Sequence, residues 1–537
     1  MKTAPLSRTE QKVVAANTGM SHYLRQLSTG RKATPHSWLY ENESSDKTLK
    51  RWLTTLESLK SDEKFGSEVY QFDTKQIEKF GPQGEVPPVA EGIETLEDSY
   101  SSDEPDMWLP DDYDAATMQL AKEIFGQDQI YRNRPLRYES VIDDMRARDT
   151  LTTNSGWPLF TRRSKPEVRA ASIEDAQTGK AFEYPAILLF RAYNGKLRPV
   201  WMYPMSLNLL EFSFTMVIQD RMRRRHLPYI TPWEGFEDVE QQFTSDWVGK
   251  TAISGDTTKM DAHFRQKQMK VVFDVCKRIF QPQYHARLWE TMRLVNEIEV
   301  VVGPNEKLTG MHGIASGSGW TQLAETIFQL WMCFNTKQHG DWLNVDISEG
   351  MGIGDDFVWF ADVGDKPVAA VSEGIASYLE SFGLPANPTK QEVGKEKGYF
   401  LQRMFSSQWT FGSLELGDLT QANPDTLAGI YPTVRALNSL LNPERFYDSK
   451  KWNSDMFCIR CYMILENCVG HPLFKQFVDF VVRGQKDLLP FAHKTAEQLN
   501  AAQRASRSIP NLTPTYNQRL RDKPLSAYVS IRYAASL

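Results

Sequence analysis

Two segments of the chain carry carboxylates in a setting that suits shared chemistry. The first is Asp256, which follows the short run Thr251-Ala252-Ile253-Ser254-Gly255, with Asp261 five residues further on. The second is Gly354-Asp355-Asp356, set between Gly350-Met351-Gly352-Ile353 and Phe357-Val358-Trp359-Phe360. Apolar residues on both sides of a Gly/Asp turn predict a tight β-hairpin with carboxylates at its tip. Taken alone, that tripeptide is more simply a surface turn, since Gly and Asp favour turns. A strand that ends in a carboxylate, however, can bring it beside such a tip. Carboxylates from separate strands suit hard cations such as Mg²⁺, which take oxygen ligands. Two such ions, about 3.5–4 Å apart, can clamp the attacking and leaving oxygens of a phosphoryl transfer.

Between these segments lies Ser316-Gly317-Ser318-Gly319-Trp320-Thr321, followed by Leu323, Ile327, Leu330 and Trp331 at helical spacing. Gly and Ser let a backbone approach a ligand closely. A Gly/Ser loop feeding a helix suits a nucleotide or a template backbone, although a plain capped loop is the commoner outcome for any isolated case.

The elements that position these residues belong to an ordinary globular chain. Of 537 residues, 41% are hydrophobic and 24% charged, which excludes general disorder and predicts three to four packed units of about 150 residues. Runs such as Ile187 to Phe190 or Val300 to Val302 are strand-length and too short to span a membrane. Met1 to Lys12 has no apolar stretch of the secretory type. Five cysteines are too few for a disulfide scaffold, so a reduced, intracellular setting is expected.

The net charge of −6 does not by itself suggest a nucleic-acid partner. Its distribution is uneven, however. Glu85 to Asp114 holds 11 acidic residues and no Lys or Arg, whereas Arg162 to Arg225 holds 12 basic and 6 acidic residues. Local fields, not global sums, steer an anionic ligand. The acidic, Pro-rich stretch at 81–115 is expected to be a solvated loop, with a strap shielding a basic groove as the sharper alternative. Residues 1–80 read as helical, with Trp52, Leu53, Leu56 and Leu59 on one face, and 406–500 read as mostly helical, for example Phe474 to Val482.

In order and spacing, the set resembles the palm motifs of viral RNA-dependent RNA polymerases. Asp256-x4-Asp261 resembles motif A, Ser316-Gly317-x3-Thr321 motif B, and Gly354-Asp355-Asp356 motif C. Further members can then be sought. Lys196-Leu197-Arg198-Pro199-Val200, with Arg191 just before it, resembles motif F, and Asn154-Ser155-Gly156-Trp157-Pro158 resembles motif G. Lys390 in Asn387-Pro388-Thr389-Lys390 is the motif D candidate, and Phe400-Leu401-Gln402-Arg403 resembles motif E. The stretch Ser254 to Phe264 is most similar to picobirnavirus polymerases, with partitivirus polymerases as neighbours.

The resemblance covers about residues 150–405 by motif. It implies an α+β right hand of fingers, palm and thumb, the palm being a small antiparallel sheet backed by helices. Residues 1–115 would be an N-terminal extension bridging fingers and thumb, and 116–250 the fingers. Residues 251–405 would be the palm, with 270–312 contributing to the fingers, and 406–537 a helical thumb with a basic C-terminal tail. By the same resemblance, Asp256, Asp355 and Asp356 would hold Mg²⁺, with Mn²⁺ as a substitute. Arg191, Lys196 and Arg198 would hold NTP phosphates, and Lys390 would protonate pyrophosphate. Asp261, Ser316, Gly317 and Thr321 would read the ribose, while Ser155, Gly156 and Arg403 would touch RNA. Implied partners are viral RNA template and product, NTPs and a capsid protein, with no membrane. The chain would act as a monomer in the virion interior and host cytoplasm.

One position departs from the pattern. Where motif B often holds Asn, this chain has Glu325. Glu325 beside Asp261 would place two carboxylates together, so either one is protonated or a cation lies between them.

Other signals carry less. Gly249-Lys250-Thr251 ends like a Walker A loop, but position 244 is Thr and not the required Gly. Cys458, Cys461, Cys468 and His471 have zinc-like spacing, yet Tyr462-Met463-Ile464-Leu465 between them predicts a buried helix and core cysteines. Arg223-Arg224-Arg225 suits either RNA phosphates or a solvated helix end. Gly354 and Asp261 disfavour a reverse transcriptase, and an RNA-binding internal capsid component with weak catalysis stays open. The stretch from Arg504, with six basic residues and one acidic, reads as an extended tail broken by Pro510, Pro514 and Pro524. Its aromatics Tyr516, Tyr528 and Tyr533 could fold back into the channel.

Overall fold

A computed structural model describes residues 1–101, 104–340, 342–509, 512 and 522–537. Its four-stranded sheet decides where the acids go. The strand order is Gly350–Ile353, Asp356–Ala361, Thr251–Gly255, Glu392–Gly394, antiparallel throughout. Side chains alternate across a strand. Phe357 and Trp359 enter the large core shared with the helices Gln266–Cys276, Thr321–Phe334 and Val368–Ser381. Val358 and Phe360 enter a smaller core with Phe243 and Phe405. With both faces buried, the strand reads as an unbroken apolar run. Gly255 lies opposite Phe357, so the chain leaves its strand at Asp256 beside the turn that carries Asp355. A Cβ at Gly255 would sit 2.0 Å from the Phe357 ring, so only glycine fits there.

The five-stranded sheet runs Lys2–Pro5, Glu306–Thr309, Val300–Val301, Ala186–Tyr193, Lys196–Met202. Asn194 and Gly195, both at positive φ, form the two-residue turn between its last two strands. That register sets Arg191 opposite Arg198.

The N-terminal segment links this hairpin to the C-terminal helices. The Asn194 N–H donates to Gln83 Oε1 (2.8 Å), and the Gly84 N–H to the Ala192 carbonyl (2.8 Å). Further along, the Thr34 hydroxyl donates to the Glu444 carbonyl, Ser37 to that of Leu440, and Trp52 Nε1 to Thr433 Oγ1. Trp52 and Leu56 are buried on the helix Ser45–Leu56, as the spacing predicts. They share a core with the helices Thr433–Leu441, Ser454–Glu466 and Phe474–Val482. Cys458, Cys461 and Cys468 lie in that core. His471 faces the buried Asp73 carboxylate at 2.9 Å, and Asp73 also accepts from Thr433 and Val434.

Three expectations change. The acidic stretch is a strap and not a solvated loop, because apolar residues interleave its acids. Val89, Leu96 and Tyr100 are buried, Asp98 pairs with Lys259, and Tyr113 donates to Asp274 (2.8 Å). Residues 407–432 are turns and 3-10 segments, as Gly412, Gly417, Pro424 and Pro432 disfavour a helix. The last residues are no free tail. Tyr528 is buried, the helix Val529–Ala535 packs on the C-terminal core, and Val529 and Ser530 donate to Glu466. Pro510, Pro514 and Tyr516 lie outside the described residues. Among the described residues, no helix is long and apolar enough to cross a membrane.

Candidate active site

The hairpin tip is built by its own turn and held from behind. Gly354 takes a φ of 59°, a left-handed conformation that glycine adopts without strain. Its N–H donates to Thr326 Oγ1 (3.0 Å), and Gln329 Nε2 donates to the Gly354 and Asp356 carbonyls. Across the cleft, Gln391 clamps Asp256. The Asp256 N–H donates to Gln391 Oε1 (2.9 Å), and Gln391 Nε2 donates to the Asp256 carbonyl (2.7 Å). Sequence reasoning misses Thr326, Gln329 and Gln391. Polar residues three apart on an otherwise apolar helix are the signal that points to the first two.

The acids sense one another. Burial pushes the Asp256 pKa up; Lys390 draws it down, Asp355 raises it and Lys196 lowers it. Asp355 and Asp356 keep exposed surface. Asp356 nonetheless sits in a dense cleft that raises its pKa, and the Asp355 and Asp256 carboxylates raise it further. Like charges held this near repel. Among the described residues, no three His, Cys, Asp or Glu side chains converge on one point. The donor set is all oxygen, partly desolvated and short of counter-charge at its centre. It therefore fits a hard divalent cation, which would relieve that repulsion.

Cations ring this centre. Lys390 and Lys196 act on Asp256, Arg198 on Asp261 and Arg435 on Asp356. Lys79 completes the rim. Burial lowers its pKa first, followed by Arg435 and Lys196. Lys79 and Arg435 have no sequence signal, since each is a single cation far along the chain from the motifs.

Glu325 meets Asp261 in a carboxyl pair. Burial, and then the Asp261 carboxylate, push the Glu325 pKa well above the usual range. Burial raises the Asp261 pKa; the hydrogen bond with Glu325 works against that rise, Asp355 adds to it and Arg198 opposes it. Of the two alternatives read from the sequence, this favours the proton, with Glu325 as a neutral acid donating to Asp261. Glu325 is 3% exposed, and its Oε1 has no hydrogen-bond partner.

The loop before the Thr321–Phe334 helix is threaded against the end of the cationic hairpin. The Trp201 N–H donates to the Ser316 carbonyl (2.7 Å). Gly317 has a φ of 122°, and a Cβ there would lie 2.0 Å from the Trp201 carbonyl oxygen. The buried Glu211 fixes the other side of the loop. It accepts from the Ser318 hydroxyl, the Gly319 N–H (3.0 Å) and Asn208 (3.0 Å). Burial pushes the Glu211 carboxyl up to about 7 despite these donors. Glu211 lies in an apolar stretch and is invisible to motif reading.

Several predicted contact residues are engaged elsewhere. Arg191 turns to Glu444, which it grips through two nitrogens at 3.1 and 2.7 Å. Ser155 is 3% exposed, and its Oγ accepts from the Thr161 N–H. Gly156 is buried against Tyr203 at a φ of 66°. The Thr321 hydroxyl donates to the Ala315 carbonyl (2.9 Å). Arg403 is 6% exposed, lies 3.8 Å above the Phe236 ring, and donates to the Leu401 carbonyl and to Asn467. Ser155, Gly156 and Arg403 thus hold the structure together and present no open surface to RNA.

No family model matches the chain. A curated relative, described as a potential RNA-dependent RNA polymerase of Human picobirnavirus (strain Human/Thailand/Hy005102/-), is 24% identical over 496 residues, or 88% of this chain and 86% of that protein. The crystal structure of the RNA-dependent RNA polymerase of a human picobirnavirus matches with a TM-score of 0.79 at 20% identity, covering 99% of this chain and 98% of that one. An insertion-loop deletion mutant of such a polymerase matches with a TM-score of 0.77 at 20% identity, covering 95% of this chain and 99% of that one. The chain therefore shares the α+β right-hand fold of these enzymes.

Proposed function

We propose that the chain is the RNA-dependent RNA polymerase of a double-stranded RNA virus. It would transfer a nucleotidyl group from an NTP to an RNA 3′-OH under template direction and release pyrophosphate. One observation carries the reading: Asp256 and Asp355, from separate strands, share a cleft rimmed by Lys196, Arg198 and Lys390. Asp256, Asp355 and Asp356 would hold Mg²⁺, or Mn²⁺ in its place. Bound there, such ions lower the pKa of the 3′-OH and neutralise the triphosphate. Lys196 and Arg198 supply charge to the phosphates, Arg as a bidentate donor. Lys390, facing Asp256, is placed to give a proton to the leaving pyrophosphate. Asp261 accepts from the 2′-OH that separates RNA from DNA, and the hydrogen bond from the neutral Glu325 offsets part of the rise that burial gives its pKa. Ser316 and Gly317 bring backbone close to the same sugar. Template and product RNA and a capsid protein are the expected partners, in the virion interior and host cytoplasm.

RNA synthesis on single-stranded and primed RNA templates, with labelled NTPs and Mg²⁺, tests this reading. The purified chain should make template-length product. Asp355→Ala should lose at least about 10²–10³-fold in rate, the cost of removing a principal charge-stabilising group, while its RNA affinity stays unchanged. Silence of the unaltered chain on both templates would instead favour an RNA-binding structural component.

A further inference from the structure

A cavity of about 140 Å³ lies where the N-terminal segment meets the C-terminal helices. Trp38, Phe446, Tyr447, Trp452 and Phe457 bring aromatic rings to its walls. Tyr447 and Trp452 stack at 4.2 Å and 11°, and Trp38 packs against Phe457 at 5.5 Å. Yet Trp38 is 39% exposed and Phe446 67%. Exposed rings gathered around one cavity suit a binding surface.

The same walls hold Arg445. Among the described residues, it forms no hydrogen bond or ion pair. Its neighbour Glu444 is committed to Arg191 through both carboxylate oxygens. Burial pushes the Arg445 pKa down, and then Arg191; Glu444 and Tyr447 draw it partly back up, and Arg31 lowers it slightly. The Arg191 and Arg445 guanidinium groups thus lie near the one Glu444 carboxylate. Asp448 does not redress this: it caps its own turn by accepting from the Lys450 N–H, beside the exposed Lys450 and Lys451.

We propose that this cavity binds a base of single-stranded RNA, stacked against Trp38 and Phe446, with its phosphate on Arg445. Aromatic faces plus an uncommitted cation are the means by which proteins hold single strands without reading sequence. An apolar peptide would cover the rings but leave the positive charge unanswered. The Arg191–Glu444 pair also joins this loop to the cationic hairpin of the cleft. RNA as the ligand rests on the proposed polymerase reading, whereas the site itself rests on its own residues.

Crosslinking of the full chain to single-stranded RNA carrying 4-thiouridine, followed by peptide mapping, tests the proposal. Crosslinks are expected in the peptides containing Trp38 or Phe446. Phe446→Ala, at an exposed ring, and Arg445→Gln, at a half-buried side chain, should abolish them and weaken single-strand affinity about five- to tenfold, with extension of a primed template and the unfolding temperature unchanged. Crosslinks confined to the cleft, with affinity unaltered in both variants, would overturn the site. So would variants that keep RNA binding but lose association with the capsid protein, since the cavity would then belong to a protein partner. A chain that crosslinks at Trp38 but never makes RNA would keep this inference and defeat the polymerase reading; active polymerase without those crosslinks would do the reverse.

Discussion

Arg198 and Arg403 both sit on strands, Lys196–Met202 and Arg403–Ser406, and both match a polymerase motif by position. Arg198 is exposed, near Asp261, with Tyr193 beneath it at 5.1 Å. Arg403 is enclosed by Phe236, Tyr431 and Asn467. A guanidinium can neutralise a ligand only if the protein has not already used its charge and donors. Spacing marks where a motif lies, and burial decides what its side chain can do.

Substituting each Arg with Ala should separate the two roles. Arg198→Ala should lower kcat/KM for NTPs by about 10²-fold, as loss of one charge-stabilising donor does, with little change in the unfolding midpoint. Arg403→Ala should destabilise the chain by about 2–3 kcal/mol, the cost of breaking buried charge-assisted hydrogen bonds. Its folded fraction should extend RNA at a rate within about threefold of the unaltered chain. Thermal unfolding and steady-state kinetics on the same preparations would check both. The reverse pattern would return Arg403 to the RNA.

A smaller effect sharpens the same contrast. Glu240, near Arg403, is 5% exposed, accepts from the Gly429 N–H at 2.8 Å, and has a pKa that burial pushes up to about 8. With the folded value raised, the native state keeps a proton that the unfolded chain releases above its ordinary value of 4.5. Stability from this group is therefore full below that value and is lost as pH rises towards 8. Glu240→Gln should flatten the decline of the unfolding midpoint between about pH 5 and 8. An unchanged slope would show that other groups set it.

The parts of the site that chemistry demands were legible. A carboxylate pair needs Asp at given strand ends, and a hairpin tip needs Gly at positive φ, so Asp256, Gly354 and Asp355 stand out locally. The helix Phe474–Val482 was legible from its apolar spacing. What stayed hidden depends on partners far along the chain. Arg191 finds Glu444 across 253 residues, and Asp73 finds Thr433 across 360. Nothing near Arg191 distinguishes it from the neighbouring cations that face the cleft. Glu211 was hidden for the opposite reason, since a buried acid in an apolar helix has no pattern to announce it. The acidic strap misled because its charge is obvious, while the buried Val89, Leu96 and Tyr100 are scattered among the acids.

The account turns on Asp256 and Asp355 forming one cation-binding centre. Calorimetric titration of Mg²⁺ or Mn²⁺ into the full chain, compared with Asp256→Asn and Asp355→Asn, addresses this without relying on turnover. Asn keeps the shape and removes the charge, so each variant should lose most of the divalent-ion binding while unfolding at the same temperature. Binding isotherms unchanged in both variants would contradict the account.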